Sequence, residues 1–301
     1  MEIRLHIGAH RTGSTRVQAE LSRRAAHLAT RGVVVVRPED LRIGKSALGR
    51  LHPRLPGPLR AVTAAHAHPQ LIAARQAAEA RGAHCLLVSE ENLAGSIDAI
   101  LRSGRLYGDI GARMRGLRPL LGSATVTVLL AVRGYDEFFA SAYAHRTTRG
   151  PRPAFARLKP GFLALPRRWP AVAGDVLRAL PQARLRVWDY DDSRRNELGM
   201  MREVIGLPDI VAVDAALPDL PAPSARAVEV LNAMTAPEDQ DLAHRRAVAA
   251  RYPRPDHAAF YPWTAEESAR LRDAHAQDLA ALRAMAHPQM SFAKLAEACD
   301  A

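Results

Sequence analysis

Leu5-His6-Ile7-Gly8-Ala9-His10-Arg11-Thr12-Gly13-Ser14-Thr15-Arg16-Val17-Gln18 is the stretch that decides how this chain is read. Ile3 to Gly8 alternates and ends in glycine, which predicts a short strand. From Ser14 to Arg31, Val17, Leu21, Ala25 and Leu28 form one apolar stripe, and Gly32 follows it. That pattern predicts a helix and its stop. Between strand and helix lies a loop bounded by Gly8 and Gly13. Glycine lets a backbone curl, and the first amides of a helix have no partner inside it. Strand, glycine loop and helix in this order therefore predict an anion site.

The spacing fits the phosphate-binding template G-x-x-x-x-G-K-[ST] except at one position, where Ser14 stands in place of lysine. The cation sits instead inside the loop, at Arg11. A nucleotide triphosphatase needs its lysine on the β/γ-phosphates and a hydroxyl on Mg²⁺. Arg11-Thr12-Gly13-Ser14-Thr15 offers a cation and hydroxyls at other places, which suits a smaller, diester-like anion bound without metal. The plain alternative is a glycine turn that binds nothing.

Working outward, Val33 to Val36 is four β-branched residues and reads as a buried strand. Gln70 to Arg81 is an alanine-rich helix, and His84 to Ser89 a third strand. Ala124 to Val132 is a continuous apolar run, as in a parallel strand covered on both faces. Tyr135 to Arg149 reads as a helix with Asp136 and Glu137 in its first turn and Arg146 and Arg149 in its last. Leu185 to Trp188 is a fifth strand. Alternating strands and helices predict an α/β, three-layer fold with a parallel sheet of four to five strands. Residues 214–223 are proline-rich, and helical patterns follow, among them a capping box at Thr264 and Glu267. The expected organisation is a single domain over 1–301. An α/β core covers 1–213 and a helical C-terminal extension 214–301.

Composition bounds the function. The chain has 301 residues, is 48% hydrophobic and 24% charged, and carries a net charge of +11. Almost all its positive charge is arginine, spread along the chain, which is either a compositional habit or a match to an anionic ligand. Aromatic residues are 5% and are not interleaved with basic ones, which argues against a nucleic-acid partner. The only cysteines, Cys85 and Cys299, form no disulfide or zinc pattern. With no signal-like start and no bilayer-length apolar run, a cytoplasmic protein without a membrane span is expected. His84 and Cys85 are adjacent in a strand and point to opposite faces, so no metal ligand set closes there.

The 5–18 stretch resembles the 5'-phosphosulfate loop of bacterial sulfotransferases that use 3'-phosphoadenosine 5'-phosphosulfate (PAPS). That family has a strand, Gly-x-His-Lys-Thr-Gly-Thr-Thr, then a helix with an early Gln. Arg11 and Ser14 are the departures here. A second resemblance is Arg133 at a strand end with Ser141 eight residues on and Tyr143 after it, similar to the family's 3'-phosphate motif. A third is Ser89, Glu91, Asn92 and Leu93, similar to its Ser-x-Glu-Asn-Leu. The resemblance implies a P-loop-like fold and PAPS as co-substrate, with no metal. It implies that Arg11, Thr12, Gly13, Ser14 and Thr15 hold the 5'-phosphosulfate. Arg133 and Ser141 then hold the 3'-phosphate. Glu91 is the implied general base, with His10 a second candidate and Arg11 stabilising the leaving oxygen. Other readings of Glu91 are a helix-start carboxylate or an ion-pair partner.

Two other functions fit parts of the pattern. A P-loop kinase or nucleotide triphosphatase would use Glu90 near Mg²⁺ but lacks its lysine at position 14. A non-catalytic anion-binding protein would need no Arg133 and Ser141 pair. The family implies a carbohydrate or other small-metabolite acceptor, and acceptor contacts are expected in 37–67. Oligomeric state is not legible.

Overall fold

The computed structural model describes residues 1–41, 69–211, 222–234 and 241–295, together with Ala236 and Asp239. Its centre is β1 (Glu2–His6), an alternating strand whose Ile3 and Leu5 are fully buried. A parallel sheet grows on both sides of it in the order β2-β3-β1-β4-β5-β6. The partners are β2 (Val33–Val36), β3 (Cys85–Ser89), β4 (Thr125–Val132), β5 (Arg184–Asp189) and β6 (Met290–Phe292). Leu5 stands opposite Val88 of β3 and Val128 of β4. Every residue of β3 is buried, as is all of β4 after Thr125, so both faces are covered.

The sheet has one strand more than the sequence predicts. β6 is only three residues long and pairs with β5 through Leu185 and Met290, so periodicity has nothing to detect. The C-terminal segment therefore supplies an edge strand as well as helices. These include α13 (Ala265–Ala284), whose capping box at Thr264 and Glu267 forms as read. Several helices fall where the pattern makes no claim, among them α4 (Ile97–Ser103), α5 (Ile110–Leu121), α7 (Phe155–Ala164) and α8 (Trp169–Ala179). Prolines inside α5 and α7 blur their periodicity.

Two apolar layers clamp the sheet. On one face α1 (Ser14–Thr30) and α10 (Glu197–Ile205) pack Val17, Leu21, Met201 and Val204 against Leu87, Leu129 and Trp188. On the other, α5, α8, α13 and α6 (Tyr135–Thr147) cover Ile3, Leu5, Val128 and Leu130. Fully burying one such side chain contributes about 1.5–3 kcal/mol. The chain leaves β1 toward one face and β4 toward the other, so the gap beyond their carboxyl ends is a topological switch point, where open α/β sheets place their ligands. Helix α6 ends at Thr147, which puts His145 and Arg146 in its last turn and Arg149 beyond it. Among the described residues, no helix is long and apolar enough to cross a membrane. Most of the expected acceptor region, 42–67, lies outside the described residues. Arg37 and a short helix, α2 (Pro38–Leu41), are its described part.

Candidate functional site

The loop after β1 sits at that switch point. Gly8 has φ 89° and Gly13 φ 81°, the left-handed region that glycine enters freely. At Gly8 space is short as well: a Cβ there would stand 3.0 Å from the His10 nitrogen and 3.1 Å from Glu91 Cβ. Gly13 is the N-cap of α1 and no side chain caps that helix end. Among the described residues the Ser14 and Thr15 amides find no acceptor, so the positive end of the helix stays open. The loop's own hydroxyls divide. Thr12 Oγ1 donates to the Ala9 carbonyl at 2.6 Å and Ser14 Oγ to the same oxygen at 3.4 Å. Thr15 is exposed.

Arg11, Arg133 and Ser141 come together although the sequence assigns them to two phosphates. Arg11 Nε donates to Ser141 Oγ at 3.0 Å. Arg133, at the end of β4, donates to the Arg11 carbonyl and to Glu137 Oε2, and its guanidinium lies 4.7 Å from the centre of the Tyr190 ring. Burial, and then the neighbouring Arg133, lower the Arg11 pKa to about 10. Among the described residues Arg11 has no carboxylate in ion-pair contact. Tyr143, by contrast, donates to the Pro153 carbonyl and accepts from Asn232, so its hydroxyl is held in the fold rather than at the loop.

Beyond β3, Glu90 is buried and its Oε1 accepts from both the backbone and side-chain nitrogens of Asn92, which shapes the turn Glu91–Leu93. Glu91 is left beside Gly8, with its Oε2 accepting from Gln18 Nε2 at 2.9 Å. His10 is enclosed: the Tyr107 hydroxyl accepts from its backbone N–H at 2.8 Å and meets its Nδ1 at 3.0 Å. Its Nε2 faces Asn92 Oδ1 at 3.4 Å. Because Asn92 Oδ1 can only accept, the ring proton sits on Nε2, and Nδ1 accepts from the Tyr107 hydroxyl. Burial pushes the His10 pKa down, so the ring is neutral. With both nitrogens engaged, His10 suits a positioning role better than that of a base. Burial raises the Tyr107 pKa, so its hydroxyl keeps its proton.

Of the predicted residues, all from Gly8 to Thr15, with Arg133, Ser141 and Glu91, line one region at the carboxyl edge of the sheet. Tyr107, Tyr190 and Glu137 also belong to it and are not predicted, and His145, which the sequence places one turn after Ser141 and marks as a satisfied or solvated histidine, feels the charges of Arg11 and His10. Tyr190 directly follows β5, and its position at a strand's carboxyl end is the signal that could have found it. Among the described residues, no three His, Cys, Asp or Glu side chains cluster as a metal site would require. No family model, curated protein or solved structure matches the chain.

Proposed function

We propose that the chain transfers the sulfuryl group of PAPS to a hydroxyl or amine of a carbohydrate or other small-metabolite acceptor, in the cytoplasm. One observation carries this reading: Arg11 and Arg133 stand together in and beside the loop that ends at an open helix N-terminus, and among the described residues Arg11 has no carboxylate in ion-pair contact, Glu91 acting on it only as a charge at a distance. Such a cation calls for an anionic ligand, and Arg133, itself paired with Glu137, adds to the positive field beside it.

PAPS fits these residues. The 11–15 amides and Arg11 would hold the 5'-phosphosulfate, and Arg133 with Ser141 the 3'-phosphate. In the transfer, an acceptor oxygen bonds to sulfur as the bond from sulfur to the phosphate oxygen breaks. Glu91 takes the acceptor's proton, and Arg11 stabilises the charge left on the phosphate. Gln18 aims the Glu91 carboxylate.

The test is binding. Calorimetry with adenosine 3',5'-bisphosphate, adenosine 5'-phosphate and ATP, each with EDTA or Mg²⁺, separates the readings. The proposal expects the bisphosphate to bind without metal and more tightly than the monophosphate by at least about tenfold. Binding of ATP alone, and only with Mg²⁺, would favour a kinase.

A further inference from the structure

We infer that Tyr107 is a positioning residue for the transfer: from a buried place it fixes the separation between the cation of the glycine loop and the carboxylate of the turn beyond β3. This deepens the sulfuryl-transfer reading and rests on it. Tyr107 lies between α4 and α5, is 2% exposed and has φ 43°. A tyrosine in that left-handed region is uncommon. Such backbones persist where their surroundings hold them, and they gather at functional sites. Two other non-glycine residues among those described share the feature. One is Arg11, at φ 62°, directly after His10.

Tyr107 and Arg11 are joined through His10. The Tyr107 hydroxyl accepts from the His10 backbone N–H at 2.8 Å and donates to the ring at Nδ1, 3.0 Å away. The two rings stack, with centroids 5.8 Å apart and planes 16° from parallel. His10 Nε2 donates to Asn92 Oδ1 at 3.4 Å. Asn92 donates to Glu90 Oε1 from its side chain at 2.6 Å and from its backbone at 2.9 Å. On the other side, the Trp169 ring packs against Tyr107 at 6.2 Å, and Trp169 Nε1 donates to the Arg133 carbonyl at 2.9 Å. One chain of contacts therefore runs from the end of β4, through the glycine loop, to the turn beyond β3. Its three rings are at most 5% exposed. Sequence gives the chain its consequence, since Arg11 follows His10 and Glu91 precedes Asn92. In the proposed transfer Arg11 stabilises the leaving oxygen and Glu91 takes the acceptor's proton, so both must keep their places about the sulfur. A network whose members are all satisfied holds such groups rigidly.

The test follows His10 by NMR of its labelled imidazole nitrogens, its signals being those that vanish in His10→Asn. The native ring should show the single tautomer protonated at Nε2. Tyr107→Phe keeps the aromatic ring and removes both hydrogen bonds, so the Nδ1 resonance should move to that of a nitrogen without a donor. Affinity for adenosine 3',5'-bisphosphate should fall by at least about tenfold. With PAPS saturating, release of the bisphosphate should also slow by at least about tenfold, although Arg11 and Glu91 are intact. The losses in Tyr107→Phe and His10→Asn should not add in the double variant, because both cut one chain. Additive losses, an Nδ1 resonance that stays in place, or native binding and rate in Tyr107→Phe would each overturn the inference. Should Tyr107→Phe not fold, Asn92→Ser cuts the same chain on the other side of His10, and a native rate there would overturn it too. If the native chain does not bind the bisphosphate, the functional reading falls. The ring spectra, with the double-variant comparison repeated by urea unfolding, then still decide whether Tyr107 holds the loop through His10.

Discussion

Arg11 Nε donates to the Ser141 hydroxyl at 3.0 Å, which joins the glycine loop after β1 to the helix after β4. The bond holds a cation in place beside Arg133 before any ligand arrives. Preorganisation of that kind lowers the cost of ordering the site on binding.

Ser141→Ala should therefore act on binding and on folding together. A hydrogen bond to a charged group contributes about 1.5–3 kcal/mol, and Ser141 is buried. Affinity for adenosine 3',5'-bisphosphate should fall by roughly tenfold, and the melting temperature should drop with it. Calorimetry and thermal denaturation on the same samples check both. An unchanged affinity would mean that Arg11 holds its position without the serine.

Gly8→Ala tests the loop itself. Its φ of 89° already disfavours any side chain, and the added carbon would press on the His10 nitrogen and Glu91 Cβ at 3.0 and 3.1 Å. The conformation alone costs about 1–2 kcal/mol, and the crowding adds to it. Bisphosphate binding should be lost and the protein destabilised. A variant that binds normally would show that the loop can take another shape.

Acid should weaken the fold through His6. Its ring is buried, meets Ser89 Oγ at 2.9 Å and stacks on Trp188. Burial lowers its pKa from 6.5 to about 4, an effect only partly opposed by Glu91. The unfolded chain thus binds a proton here that the folded chain refuses. Stability is full above the unfolded value and falls as pH drops from 6.5 toward about 4. The loss over that window is about 3 kcal/mol. His10 and His145 are also lowered and push in the same direction. Urea unfolding across this range should show a shallower pH slope in His6→Gln than in the native chain, even if the variant is less stable throughout.

The glycine loop was legible because its chemistry is local: Gly8 and Gly13 do take positive φ, and the helix begins at Ser14 as its stripe says. β4 was legible because a strand covered on both faces must be apolar throughout. What stayed hidden depends on distance along the chain. Tyr107 meets His10 across 97 residues, from a left-handed position that no neighbouring motif announces. The sequence separates Arg11 from Ser141 by 130 residues and assigns them to different phosphates, and only the sheet order brings them into contact.

The Gln18–Glu91 pair gives the sharpest test of the base. Glu91→Gln keeps the size of the side chain and removes its proton acceptor. Release of adenosine 3',5'-bisphosphate from PAPS should slow by ~10²–10⁴, with donor affinity almost unchanged. That result alone would also follow if Glu91 merely shaped the turn. Gln18→Glu separates the two cases. Gln18 Nε2 now donates to Glu91 Oε2 at 2.9 Å. Replacing it with a carboxylate puts two like charges in contact, and one of them must hold its proton to higher pH. If Glu91 is the base, the acidic limb of the pH–rate profile moves to higher pH, and the rate at high pH is largely kept. A structural carboxylate would leave the limb where it is and change only the stability. Rates measured from pH 5 to 9 in the three proteins, with donor affinity measured in parallel, decide between them. An acidic limb that does not move in Gln18→Glu would take the base away from Glu91.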